Sequence, residues 1–129
     1  NSERPVALRL QYTAAACVNE MMCMAHPHSA HSVPSSNGQE DYVSMGANAA
    51  VKLWKQVDLL RTVLAIELLH AVQALAFRQP GSVGPMLSEV ETAFRAEVPF
   101  AATDRVFAED IEAARRFIKN FPLGQMVSE

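Results

Sequence analysis

The sequence predicts an all-α fold: one long central helix with shorter helices about it, as part of an oligomeric helical bundle. Three observations carry that prediction. Apolar residues recur at three- and four-residue steps over most of the chain, with no period-two pattern and no internal repeat. An almost unbroken helical pattern runs from Asp41 to Arg78, about 57 Å at 1.5 Å per residue. Its second half is apolar nearly all round, through Leu59, Leu60, Val63, Leu64, Ile66, Leu68, Leu69, Val72, Leu75 and Phe77. A helix that is hydrophobic on every side must be buried on every side, and the short helices of this chain are too few to cover it.

Length and composition bound the rest. The 129 residues suit one domain, and half of them are hydrophobic, enough for a sizeable core. The net charge is −3 and no run of Lys or Arg forms a basic stripe, which argues against a nucleic-acid partner. The N-terminus shows no basic–apolar–small leader pattern. The apolar run from Val63 to Phe77 is interrupted by Glu67, His70 and Gln73, so no membrane span is expected. Cys17 and Cys23 lie on one predicted helix, roughly 9 Å apart along its axis, too far to bridge. They are expected as reduced, small apolar residues in a cytoplasmic protein.

Taken in order, Asn1 to Arg4 is a ragged start. Pro5 suits a first helical position, and the pattern from Pro5 to Ala25 places Leu8, Tyr12, Ala15, Val18 and Met22 on one apolar stripe. Met21, Met22 and Met24 make the end of this helix soft and adaptable. His26-Pro27 ends it, because a residue before proline avoids the α region. His26, His28 and His31 then fall close together in a polar loop. A three-His metal site needs rigid support, so no metal is expected there. Asn37-Gly38 must bend the chain. Glu67, His70 and Gln73 form a polar stripe on the long helix, expected to bond to neighbouring helices rather than to react. After a Gly/Pro break from Gln79 to Pro85, Met86 to Glu97 reads as an amphipathic helix with Leu87, Val90 and Phe94 inward. Ala108 to Asn120 reads as a last helix, with Ile111, Ala114 and Ile118 on one side. The tail from Pro122 is expected to be loose.

The stretch that invites chemistry is Gln39-Glu40-Asp41-Tyr42-Val43-Ser44-Met45-Gly46. Two acids sit where a loop meets the predicted long helix, whose free N–H groups favour carboxylates. Asp41 is the expected N-cap, with the Ser44 N–H as its partner. Glu40 is then left to point away from the helix and to meet a ligand.

Gln39 to Gly46 resembles the QED-H-V-S-M-G motif of the aromatic amino-acid ammonia-lyases that use a methylidene-imidazolone (MIO) group, and within them the histidine-type members. Tyr12 to Ala16, Glu20, Ala25-His26-Pro27, Ser32 to Ser36, Leu64 to Leu69, Gln73-Ala74-Leu75, Asp104-Arg105 and Asp110-Ile111-Glu112 resemble that family in the same order. The resemblance covers nearly all of residues 1–129, but only the C-terminal portion of the family's polypeptide. It implies a part of a cytoplasmic, tetrameric enzyme of histidine catabolism that eliminates ammonia from L-histidine to give urocanate. It further implies a partner, either an N-terminal remainder or a second chain. The family's electrophile forms from an internal Ala-Ser-Gly, and no Ser-Gly pair occurs here. The MIO group must therefore come from outside this chain, and the chain alone is expected to be inactive.

By resemblance, Glu40 approaches the aromatic end of the substrate, and Gln39 stands beside it in the pocket. A carboxylate can accept from an imidazole N–H, and charge-assisted bonds are the strong kind. Phenylalanine and tyrosine enzymes of the family usually carry Gln where this chain has Glu40, so histidine is the implied substrate. Tyr42 stands where the family usually has histidine, and Met21-Met22 where Asn-Lys is common. Those departures keep an aromatic aminomutase and a tyrosine or phenylalanine lyase open; a non-catalytic helical oligomerisation module is the alternative from a different class.

Overall fold

The computed structural model describes residues 5–78, 83–122 and 124, with helical side chains from Leu10 onward. The ragged start, most of the Gly/Pro break, most of the tail and the side chain of Leu8 lie outside the described residues. Among the described residues there is no strand, only an isolated antiparallel bridge between Ser35 and Glu40. Four α-helices follow in order: α1 (Pro5–Cys23), α2 (Gly46–Leu75), α3 (Pro85–Glu97) and α4 (Ala108–Asn120).

The packed centre lies on the C-terminal half of α2. Ala65, Leu69 and Val72 meet Val90 and Phe94 of α3 and Ala113, Ala114 and Phe117 of α4. Phe94 and Phe117 cross edge-to-face with centroids 5.2 Å apart, a favoured aromatic geometry. Small residues at Ala65 and Ala114, both fully buried, let the α2 and α4 backbones approach. The polar stripe on α2 was expected to bond to neighbouring helices; instead Gln73 bonds a loop residue, His70 bonds its own helix and Glu67 is exposed. Gln73 donates to the Ala101 carbonyl at 2.8 Å, and its own carbonyl faces the Ala101 N–H at 3.4 Å. The His70 Nδ1 lies 2.8 Å from the Ile66 carbonyl, and Arg95 donates to the Val72 carbonyl.

Beside this core, Arg105 grips Asp110 with two bonds of 2.9 and 3.0 Å and reaches the Pro99 carbonyl at 3.1 Å. This network, with Arg95, lines a small, partly open hollow of about 30 Å³, room for one water. Burial pushes the Arg95 guanidinium below its ordinary range; Glu91 opposes that shift and Arg105 adds to it.

Four expectations need correction. The long helix begins at Gly46 and ends at Leu75, so its 30 residues rise about 45 Å. Asp41 caps nothing: the residue at the helix start is Met45, with no side-chain cap bond. A bond from eleven residues away competes, because the Val43 N–H donates to Ser32 Oγ instead of joining a helical turn. The stripe expected to pack α1 is the wrong one. Leu10, buried, begins the packed row, followed by half-buried Ala14, Cys17, Met21 and Met24, while Tyr12 is 73% exposed. The helix carries two apolar stripes, and periodicity alone does not say which one finds a neighbour. Leu87 of α3 is likewise exposed, because only Val90 and Phe94 reach the core.

The second half of α2 is buried on one side only. Leu60 and Leu64 remain 45% and 42% exposed. With Leu53 and Val57 they make a continuous apolar stripe left exposed by the described residues.

Candidate functional site

The segment from His26 to Met45 joins α1 to α2 without regular helix beyond two short 3₁₀ turns, His28–Ala30 and Ser36–Gly38. The second turn reverses the chain. Ser36, Asn37 and Gly38 all adopt the left-handed region, at φ of 54°, 59° and 85°. Asn and Gly tolerate that region, which is why Asn-Gly was a legible bend. Ser36 tolerates it less well and is held there by its surroundings.

The reversal places Ser35 opposite Glu40. The Ser35 N–H donates to the Glu40 carbonyl at 2.8 Å, and the Glu40 N–H returns to the Ser35 carbonyl at 3.3 Å. The Ser35 hydroxyl also donates to Glu40 Oε2 at 3.1 Å. One serine therefore fixes both the backbone and the carboxylate of Glu40. The carboxylate lies five or more residues ahead of α2 and takes no part in capping. Both it and Gln39 are exposed, so the two residues singled out in the sequence lie side by side and open to a ligand.

Two further clamps hold this segment. Ser32 Oγ accepts from the Val43 N–H at 2.7 Å and donates to the Val43 carbonyl at 2.9 Å. Tyr42 Oη donates to the Ser29 carbonyl at 2.8 Å. Sequence reasoning missed Ser29, Ser32 and Ser35 as the frame of the site. The available signal was the run of serines just ahead of a turn dipeptide, of which Ser32 and Ser35 act through their hydroxyls and Ser29 through its carbonyl. A hollow of about 320 Å³ lies between the end of α1 and the start of α2, lined by Met24, His28, Ser44, Met45 and Lys52 among others. Glu40 is not among its walls. The hollow and the carboxylate are separate features of this chain.

The geometry is thus an exposed, pre-positioned carboxylate beside a carboxamide on a clamped loop. Comparison with known proteins gives it a context. A family model described as aromatic amino acid lyase matches residues 7–96, which take in most of α1, the whole clamped loop, α2 and nearly all of α3. The chain belongs to that family. Among aromatic amino acid lyases it is 42% identical over 119 residues to a histidine ammonia-lyase of Legionella pneumophila (strain Lens), covering 91% of this chain and 24% of that protein. It is 46% identical over 118 residues to a histidine ammonia-lyase of Symbiobacterium thermophilum, covering 92% of this chain and 23% of that protein. The crystal structure of histidine ammonia-lyase from Trypanosoma cruzi superposes with a TM-score of 0.83 at 34% identity, covering 90% of this chain and 23% of that one. The chain spans about a quarter of the length of these lyases, and the all-α fold is the one it shares with the solved structure.

Proposed function

We propose that this chain is the substrate-side-chain-contacting portion of a histidine ammonia-lyase, which eliminates ammonia from L-histidine to give urocanate. One observation carries the reading: Glu40 is exposed, its carboxylate is oriented by Ser35, and it is not spent on a helix cap. Ser35 occupies one acceptor site of Oε2 and leaves the remaining lone pairs open. An imidazole N–H fits such an acceptor, whereas a phenyl or phenolic ring desolvates the charge and returns no N–H. Gln39, beside it, can donate or accept through its amide and makes a second, weaker contact. The similarity to proteins named histidine ammonia-lyase supports the same substrate.

The electrophilic MIO group of such an enzyme draws electrons from the bound amino acid so that ammonia can leave. The residues here do not fit its formation, because the chain contains no Ala-Ser-Gly. What this chain supplies is orientation of the substrate ring. The remainder of the active site belongs to an N-terminal portion or to a second chain.

The uncovered apolar stripe of α2 supports a homo-oligomer, a tetramer in the complete enzyme, with α2 within a shared bundle. No described helix is long and apolar enough to cross a membrane, and both cysteines are free, in keeping with a cytoplasmic setting.

The test is Glu40→Gln in the complete enzyme, with kcat/KM measured for histidine, tyrosine and phenylalanine. Selective loss on histidine supports the reading. Equal loss on all three substrates removes the histidine assignment. The isolated chain, mixed with L-histidine, should form no urocanate.

A further inference from the structure

We propose that His26 and His31 form a two-point chelate for a borderline divalent transition cation of the zinc, nickel or copper class. Their Nε2 atoms lie 3.1 Å apart and their ring centroids 5.1 Å apart, and both residues are exposed. Two imidazole nitrogens bound at about 2.0–2.1 Å, with an angle of about 90–110° at the metal, stand about 2.9–3.4 Å apart. The two rings are therefore already at the spacing of adjacent ligands on one ion. At present one ring donates to the other. Chelation places both protons on Nδ1, a change of tautomer that releases no proton.

The objection raised by the sequence was lack of rigid support, and the loop supplies it for these two residues. The 3₁₀ turn is closed by the Ala30 N–H to the Pro27 carbonyl and the His31 N–H to the His28 carbonyl, each 3.3 Å. The Lys52 ammonium donates to the His26 carbonyl. Tyr42 holds Ser29, and Ser32 is bonded twice to Val43. The backbone that carries the two ligands is thus already ordered.

Neutral imidazoles select zinc, nickel and copper over magnesium and calcium, which require oxygen. His28 does not join the pair; it lines the hollow with Met24 and Lys52. Among the described residues no group of three ligating side chains exists, so water completes the coordination shell. The nearby Lys52 charge opposes a dication. Both features make the bound ion an exchangeable one. The proposal stands independently of the lyase reading.

The experiment titrates the tag-free 129-residue chain with copper, nickel, zinc or magnesium chloride at mildly alkaline pH. Calorimetry and histidine-ring NMR follow binding. One ion per chain is expected, with copper bound more tightly than nickel or zinc and magnesium not at all. In the diamagnetic zinc titration, ring shifts are confined to His26 and His31, a readout that needs no variant. His26→Gln and His31→Gln each weaken binding at least about tenfold, because the second contact of a chelate is intramolecular. His28→Gln leaves it unchanged. Circular dichroism checks that each variant keeps its helix. No saturable binding up to millimolar metal, or a loss in His28→Gln equal to that in His31→Gln, overturns the proposal.

Discussion

The C-terminal half of this chain carries its own core, and the N-terminal half does not. Around Phe94, Ala114 and Phe117, side chains from α2, α3 and α4 close over one another and the buried polar groups are paired. Around α1 and the first half of α2, large apolar side chains lie in the open: Trp54 is 76% exposed, and Leu53, Val51 and Tyr12 are also uncovered. Both halves are equally good helix by sequence. The difference teaches that helix formation and helix burial are separate decisions, the second needing a neighbour. The half that lacks one also carries the clamped loop with Glu40. The candidate site and the uncovered apolar surface therefore occupy the same end of the chain's order.

The comparison can be broken at several points. The largest effect is expected in the closed half. Phe117→Ala should cost about 3–5 kcal/mol of stability, because it empties a filled core position and removes the ring packed on Phe94 and Phe121. Chemical denaturation measures it, and a loss no greater than that of a surface substitution would mean that the half is not a core.

Next comes the site. In the complete enzyme, Glu40→Gln should cost about 1–3 kcal/mol of transition-state binding for histidine, a ten- to hundredfold fall in kcat/KM. Ser35→Ala, which frees the carboxylate to turn, should lower kcat/KM for histidine in the same direction but less, and Ser35→Thr should restore it. Steady-state kinetics on the three variants check the order.

Gln73→Ala should cost about 1–2 kcal/mol, since it leaves both polar groups of buried Ala101 without their partner. Thermal unfolding reads this out.

The smallest effect on stability is expected in the open half. Trp54→Ala should change the unfolding free energy of the isolated chain by less than about 0.5 kcal/mol. Yet Trp54→Glu should shift sedimentation toward monomer, because the same surface that contributes little to this chain's own fold is the one available for association. The unaltered chain should not sediment as a monomer at micromolar concentration. A well-folded monomer would remove the contrast between the halves.

Much of this was legible in the residues themselves. The last two helices fell at their predicted bounds to within a residue, because Pro85 and the acids at Glu109 and Asp110 mark starts that local chemistry sets. The Asn37-Gly38 bend was legible for the same reason. Glu40 could be singled out, but the reason given for its orientation was wrong. The carboxylate is set by Ser35 across a turn, not by a helix start. Hydrogen bonds between Ser32 and Val43, eleven residues apart, then delay the helix to Gly46. No propensity or period encodes such a bond.

What the sequence by itself determined is local: where helices can form, where the chain must turn, and that no Ala-Ser-Gly occurs in these residues. These follow from backbone sterics, periodicity and covalent identity, which need no neighbour. Only the tertiary structure decided which of two apolar stripes on α1 is packed, that α2 is covered on one side, that Ser35 grips Glu40, and that His26 and His31 meet while His28 does not. Each of those depends on where a second segment lies in space, and a one-dimensional pattern carries that only weakly.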